Sequence, residues 1–155
     1  MTYRDGIVEL AAKRGWTRGA QLGLGTVALL EMLLAALPEL HMIAVDHFVR
    51  MDRKQRALDV ASRSPGRATV LIMTTGQAAP LVPDGSLDFA FIDAGHKYGC
   101  ARADIRAWWP KVRPGGWFGG YGYNDLHPGT QRAVDERFGG NANINNDNVW
   151  SVEKR

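Results

Sequence analysis

Short apolar runs recur along this chain at intervals that leave room for one helix between most neighbouring pairs, and this alternation is the strongest constraint on its fold. Ala20 to Leu24, His41 to Val45, Ala68 to Met73, Leu87 to Ile92 and Trp117 to Tyr121 are each of strand length. Between them, Met51 to Arg63 sets Ala57, Leu58 and Ala61 on one helical side, and Tyr98 to Trp109 does the same with Ala101, Ile105 and Trp108. Thr26 is a capping residue for a helix running to Leu37, which Pro38 ends. A strand that follows a crossover helix lies parallel to its predecessor, so the pattern predicts a mostly parallel sheet covered by helices on both faces.

The ends add to this frame. Tyr3 to Arg14 carries Ile7, Leu10, Ala11 and Arg14 at helical spacing, and Pro128 to Phe138 reads as a final helix. Beyond it, Ala142 to Ile144 and Val149 to Ser151 flank the Asn145-Asn146-Asp147 turn, which predicts an antiparallel hairpin at the sheet edge. The expected fold is therefore α/β, a Rossmann-like doubly wound sheet of seven strands. With 155 residues, 45% of them apolar and 23% charged, residues 1–155 form one domain.

Composition narrows the partners. The net charge of +3 comes from Lys and Arg residues interleaved with Asp and Glu, with no block of the kind that binds nucleic acid. Cys100 is the only cysteine, which rules out an internal disulfide and suits a reducing, cytoplasmic setting. Met1 to Gly6 has no apolar leader. The most apolar stretch, Ala20 to Leu37, is broken by Gly23, Gly25 and Glu31, so no membrane partner is expected.

In a doubly wound sheet, ligands bind beyond the carboxyl ends of the strands, where the strand order reverses. At the first such end stands Gly23-Leu24-Gly25-Thr26, where the lack of a Cβ lets a ligand approach the backbone and the amides of a helix start. Asp46 ends the second strand about twenty residues after Gly25, the place from which a carboxylate accepts ribose hydroxyls. His47 and Phe48 follow as candidate walls for an adenine, or as packing. Asp93 ends the fourth strand, and Ala94-Gly95-His96 brings an imidazole out of the same turn. That pair suits general base work, or metal binding with base work beside it.

The run Asp93-Ala94-Gly95-His96-Lys97-Tyr98, the turn Arg113-Pro114-Gly115-Gly116 and the later His127-Pro128-Gly129 together resemble the class I S-adenosylmethionine-dependent methyltransferases, in particular a compact bacterial branch. The resemblance implies S-adenosyl-L-methionine as cofactor. Gly23 and Gly25 would lie along it, Asp46 would bind its ribose, and Thr75 and Gly76 would border its adenine. It also implies a reaction centre facing Asp93, with His96 as the candidate base or acceptor-positioning group. The sequence shows no added cap domain, basic aromatic groove or Asn-Pro-Pro-aromatic signature, so a small molecule methylated on oxygen is the acceptor expected by default.

Three positions depart from the family pattern. Gln21 stands where an acidic residue meets the cofactor's amino group, so that contact becomes a neutral amide. Val27 stands at the third position of the Gly-x-Gly-x-Gly turn. Gly122 replaces a carboxylate that related branches use to hold a divalent metal, which leaves the metal unassigned. Two other readings stay open: a methyltransferase fold without catalysis, and an NAD(P)-binding oxidoreductase, since Gly23 to Ala28 also fits Gly-x-Gly-x-x-Ala. Trp108, Trp109 or Trp117, if exposed, would mark a homodimer surface.

Overall fold

The computed structural model describes all residues, Met1–Arg155. Its strands are β1 (Arg18–Leu22), β2 (His41–Asp46), β3 (Ala68–Ile72), β4 (Leu87–Ile92), β5 (Val112–Tyr121), β6 (Asn143–Ile144) and β7 (Val149–Glu153). They form one seven-stranded sheet in the order β3-β2-β1-β4-β5-β7-β6. β1 to β5 run parallel, whereas β7 runs antiparallel to β5 and to β6. The predicted hairpin is present, with its longer arm β7 inserted between β5 and the two-residue β6. The chain winds outward from β1 to β3, then returns to place β4 on the other side of β1. The order therefore reverses between β1 and β4, and in sheets of this kind a crevice for ligands lies at the carboxyl ends of such a pair.

The helices are α1 (Tyr3–Arg14), α2 (Ala28–Ala36), α3 (Met51–Ser62), α4 (Thr75–Ala78), α5 (Tyr98–Trp108) and α6 (Pro128–Phe138). Successive side chains of β4 show how both faces are covered, because Phe89 and Phe91 point one way and Ala90 and Ile92 the other. The first pair packs with Ala11 of α1, Leu30 and Leu33 of α2 and Val60 of α3. The second pair joins Ile105 and Trp108 of α5 and Val134 and Phe138 of α6. Burial on both faces explains why β4 reads as a nearly unbroken apolar run.

Three sequence expectations need correction. β1 begins at Arg18 and ends at Leu22, so Gly23 and Leu24 belong to the turn rather than the strand. α2 is entered through Val27, which sits at φ 68° in the left-handed region, and Thr26 does not cap it. Trp108 and Trp117 are 0% and 6% exposed, because each is the large side chain that fills its own core. They offer no surface to a second copy. The one-turn α4 was also not anticipated; Thr74 and Gln77 hold it with a reciprocal capping box.

Candidate functional site

The two glycines of the first turn do different work. Gly23 has φ +81°, and a Cβ there would lie 2.1 Å from the backbone oxygen of Asp93. Its missing side chain is thus filled by the protein itself: the turn after β4 closes against the turn after β1, and Asp93 N–H donates to Leu22 O at 2.7 Å. Gly25, at φ +51°, has nothing within 4 Å of the same hypothetical atom. The space above it is open. The N–H groups of Gly25 and Thr26 also make no hydrogen bond within the protein.

Asp46 ties this turn to the next strand. One of its carboxylate oxygens accepts the Leu24 N–H at 2.9 Å and the other accepts the Phe48 N–H at 2.8 Å. Each oxygen keeps a second lone pair for a ligand hydroxyl. His47 is exposed beside it, while Phe48, at φ 48°, is turned into the core with α3 rather than toward the crevice. Non-glycine residues at positive φ cost energy and concentrate where geometry is imposed by function. Val27 and Phe48 are two of the three such residues in the chain; Val27 follows β1, which borders the reversal point, and Phe48 follows its neighbour β2.

Gln21 lies beneath the turn, 3% exposed. Its side-chain N–H donates to Gly23 O at 3.2 Å, and its Oε1 has no partner. Thr75 and Gly76 open α4 at the same end of the sheet. The Thr75 hydroxyl donates to the buried carboxylate of Asp104, and the Trp108 indole N–H donates to Thr75 O at 3.1 Å. The Thr75 side chain is therefore anchored to α5, and Gly76 has open space where a Cβ would be.

Across Gly23 from Gly25, a second group of side chains gathers at the ends of β4 and β5. Asp93 Oδ1 lies 3.6 Å from His96 Nε2, and Asp93 Oδ2 accepts the Tyr3 hydroxyl proton at 3.3 Å. The Tyr3 ring stacks on Tyr121 and Phe91, with centroids 5.1 and 5.9 Å apart. His96 stacks on His127 at 3.9 Å, and its Nδ1 is 3.4 Å from Thr130 Oγ1. Burial pushes the Asp93 carboxyl above the ordinary carboxylate range. Burial, then the neighbouring His127, pushes the His96 imidazole below the ordinary histidine value. Tyr3 is pushed up to about 12 by burial and by Asp93, so its hydroxyl keeps its proton and acts as a donor.

Tyr3, His127 and Thr130 were not singled out as site residues from sequence. His127 lies in the His127-Pro128-Gly129 motif, and Gly129 explains its placement: a Cβ there would stand 2.4 Å from Tyr98 N, so only glycine lets α6 start against α5. Tyr3 follows Thr2, whose N–H donates to Asp5 at 2.6 Å, a capping pattern that puts Tyr3 at the start of α1. Nothing local links it to Asp93.

No three His, Cys, Asp or Glu side chains converge on one point. Position 122 is itself closed to a carboxylate, because a Cβ on Gly122 would lie 2.8 Å from His96 Nδ1.

Comparison with known proteins agrees with this architecture. A family model described as methyltransferase domain matches residues 18–120. No curated protein matches the sequence. Among solved structures, a Corynebacterium glutamicum protein superposes with a TM-score of 0.77 at 15% identity, over 98% of this chain and 80% of its own. A putative caffeoyl-CoA O-methyltransferase from Staphylococcus aureus gives 0.76 at 11% identity, covering 96% and 80%. The O-methyltransferase TomG from Streptomyces achromogenes, in complex with S-adenosylmethionine, gives 0.74 at 13% identity, covering 99% and 80%. At such identities the likeness is one of fold. Neither the non-catalytic nor the oxidoreductase reading gains support from these matches.

Proposed function

This chain belongs to the methyltransferase-domain family, and we propose that it transfers a methyl group from S-adenosyl-L-methionine to an oxygen of a small molecule. The observation that carries this reading is the division of labour in the first turn: Gly23 is packed against Asp93, while Gly25 faces open space. A cofactor over Gly25 would lie beside Asp46 on one side and the Asp93–His96 pair on the other. Gly25 and Thr26 would offer it free amides, and Asp46 would accept its ribose hydroxyls through the lone pairs that Leu24 and Phe48 leave unused.

When bound, the cofactor supplies an electrophilic methyl group on a sulfonium. The chain's own residues then have to position an acceptor and take its proton. His96 is suited to the second task because its depressed proton affinity keeps it neutral near pH 7. As the imidazole gains a proton, Asp93, 3.6 Å away, stabilises the charge. Tyr3 holds the far oxygen of Asp93 and so orients the carboxylate. The reading suits a soluble acceptor in the cytoplasm.

Calorimetric titration with S-adenosylmethionine and S-adenosylhomocysteine tests the cofactor assignment. Micromolar binding of both is expected, with S-adenosylhomocysteine accumulating when hydroxylated acceptors are supplied. Absence of heat with either compound overturns the reading.

A further inference from the structure

The Nδ1 edge of His96 belongs to a region that the methyl-transfer reading does not use. A small cavity of about 10 Å³ lies there between the ends of β4 and β5 and the helices α5 and α6. His96, Thr130, Tyr121, Ile92 and Trp150 are among its walls. That is roughly the room one water molecule occupies. Trp150, on β7, is 1% exposed, and its indole N–H has no partner in the protein. A buried tryptophan N–H ordinarily finds an acceptor, because leaving it unpaired in a low-dielectric interior is costly.

We propose that this cavity is the binding site of a single structural water, which accepts the Trp150 indole N–H and donates to Thr130 Oγ1, and that Trp150 and Thr130 thereby act as positioning residues for the His96 imidazole. The proton count supports the assignment. Thr130 is 4% exposed, and its hydroxyl has one proton and two lone pairs. Its proton goes to the His96 carbonyl at 3.5 Å, and its oxygen lies 3.4 Å from His96 Nδ1. With water donating to one lone pair, the other is left to accept Nδ1–H. The ring proton is then held on Nδ1, and the Nε2 lone pair is left free on the side of Asp93.

Without that water, the Thr130 hydroxyl is free to swing its proton onto Nδ1. The ring proton would then move to Nε2, next to Asp93, and the imidazole could no longer accept a proton from an acceptor. The other groups around the ring are Asp93 at the Nε2 edge, Tyr121 edge-on at 6.4 Å and His127 stacked on its face. Of these only Asp93 favours a proton on Nε2, and the Tyr3 hydroxyl donated to its far oxygen weakens that pull. The catalytic value of the tautomer rests on His96 being the base of the proposed reaction; the water site itself does not.

Nuclear magnetic resonance of the protein without added cofactor separates these two layers. A cross-peak between bulk-exchanging water and the Trp150 indole proton is expected, along with histidine 15N shifts that place the His96 proton on Nδ1. In Thr130→Val, which keeps the shape of the side chain and removes the hydroxyl, the proton should redistribute toward Nε2, and Thr130→Ser should restore it. The same Thr130→Val change is expected to lower kcat by up to roughly a hundredfold, the lower end of what a general base contributes, with KM unchanged. No water contact at the Trp150 indole, or an unchanged His96 tautomer in Thr130→Val, overturns the proposal. If the water and the tautomer behave as expected but the native protein transfers no methyl group, the functional reading fails and the water site stands.

Discussion

The two sides of the crevice are built by opposite means. On the β1–β2 side the backbone does the shaping: Gly23, Gly25, Val27 and Phe48 all sit at positive φ, and the one carboxylate, Asp46, spends a hydrogen bond from each oxygen on main-chain amides. On the β4–β5 side the side chains do it, with Tyr3, Asp93, His96, His127 and Thr130 brought together from three separate stretches of chain. A backbone-built wall tolerates little change in shape, and its one carboxylate is held by main-chain amides. A wall built from buried ionisable groups can move protons, and it gives up stability to do so.

The largest effect expected from breaking this contrast is on chemistry. His96→Ala should lower kcat by roughly 10² to 10⁴, the range associated with a general base, while leaving cofactor affinity in calorimetry intact. For the native protein, activity should fall only below the ordinary histidine value of 6.5, since the folded imidazole titrates lower. Stability follows the same sign. Between the folded value and 6.5 the unfolded chain binds a proton that the native state refuses, so stability declines as pH falls through that window. In Asp93→Asn, which lacks the opposing titration of that carboxyl, a stability profile that rises as pH falls there would contradict the burial of His96.

Next in size come the two glycines. Gly23→Ala forces a Cβ to 2.1 Å from Asp93 O and should cost about 3 kcal/mol in urea unfolding, the upper range for overpacking. Gly25→Ala meets nothing and should cost only the left-handed penalty of about 1–2 kcal/mol, yet weaken binding of S-adenosylhomocysteine. If Gly25→Ala binds the cofactor as well as the native protein does, the open space over Gly25 is not the cofactor's place.

Asp93→Asn sharpens the comparison in the other direction. The folded carboxyl is raised above 3.8 by burial, so the native state holds its proton to higher pH and loses stability as pH rises through the folded value. At pH 7 the neutral amide should therefore melt at a higher temperature than the carboxylate, with activity reduced. The smallest effect belongs to Gln21→Met, which removes the unpartnered Oε1 together with the bond to Gly23 O. A change within about 1 kcal/mol of zero is expected on thermal unfolding, because relief of the orphaned Oε1 offsets the loss of Gly23 O's partner.

These contrasts bear on how much was legible from residues alone. The sheet and its two helical layers were, because periodicity in β4 and α5 is a local property. So were Gly23, Gly25, Asp46, Asp93 and His96 as residues at strand ends. The start of α2 was misread because Thr26 has the chemistry of a cap, and tertiary packing instead draws Val27 into a conformation its own propensity opposes. Trp108 and Trp117 were offered to a surface because an aromatic on an amphipathic element does not declare which layer it fills. Tyr3 had no signal at all: its partner is another element's strand end, and pair contacts of that kind leave no trace in spacing.

The Tyr3–Asp93 hydrogen bond joins positions 90 residues apart. It therefore closes a loop that contains the first four strands and three of the long helices. Long-range contacts of this type form late, after nearer pairings have reduced the entropy of bringing the ends together. The proton-handling half of the crevice is thus a product of completed folding, and local opening of α1's first turn would disarm the site while the sheet stayed intact. Hydrogen exchange at the start of α1 would then report on catalytic readiness rather than on global stability.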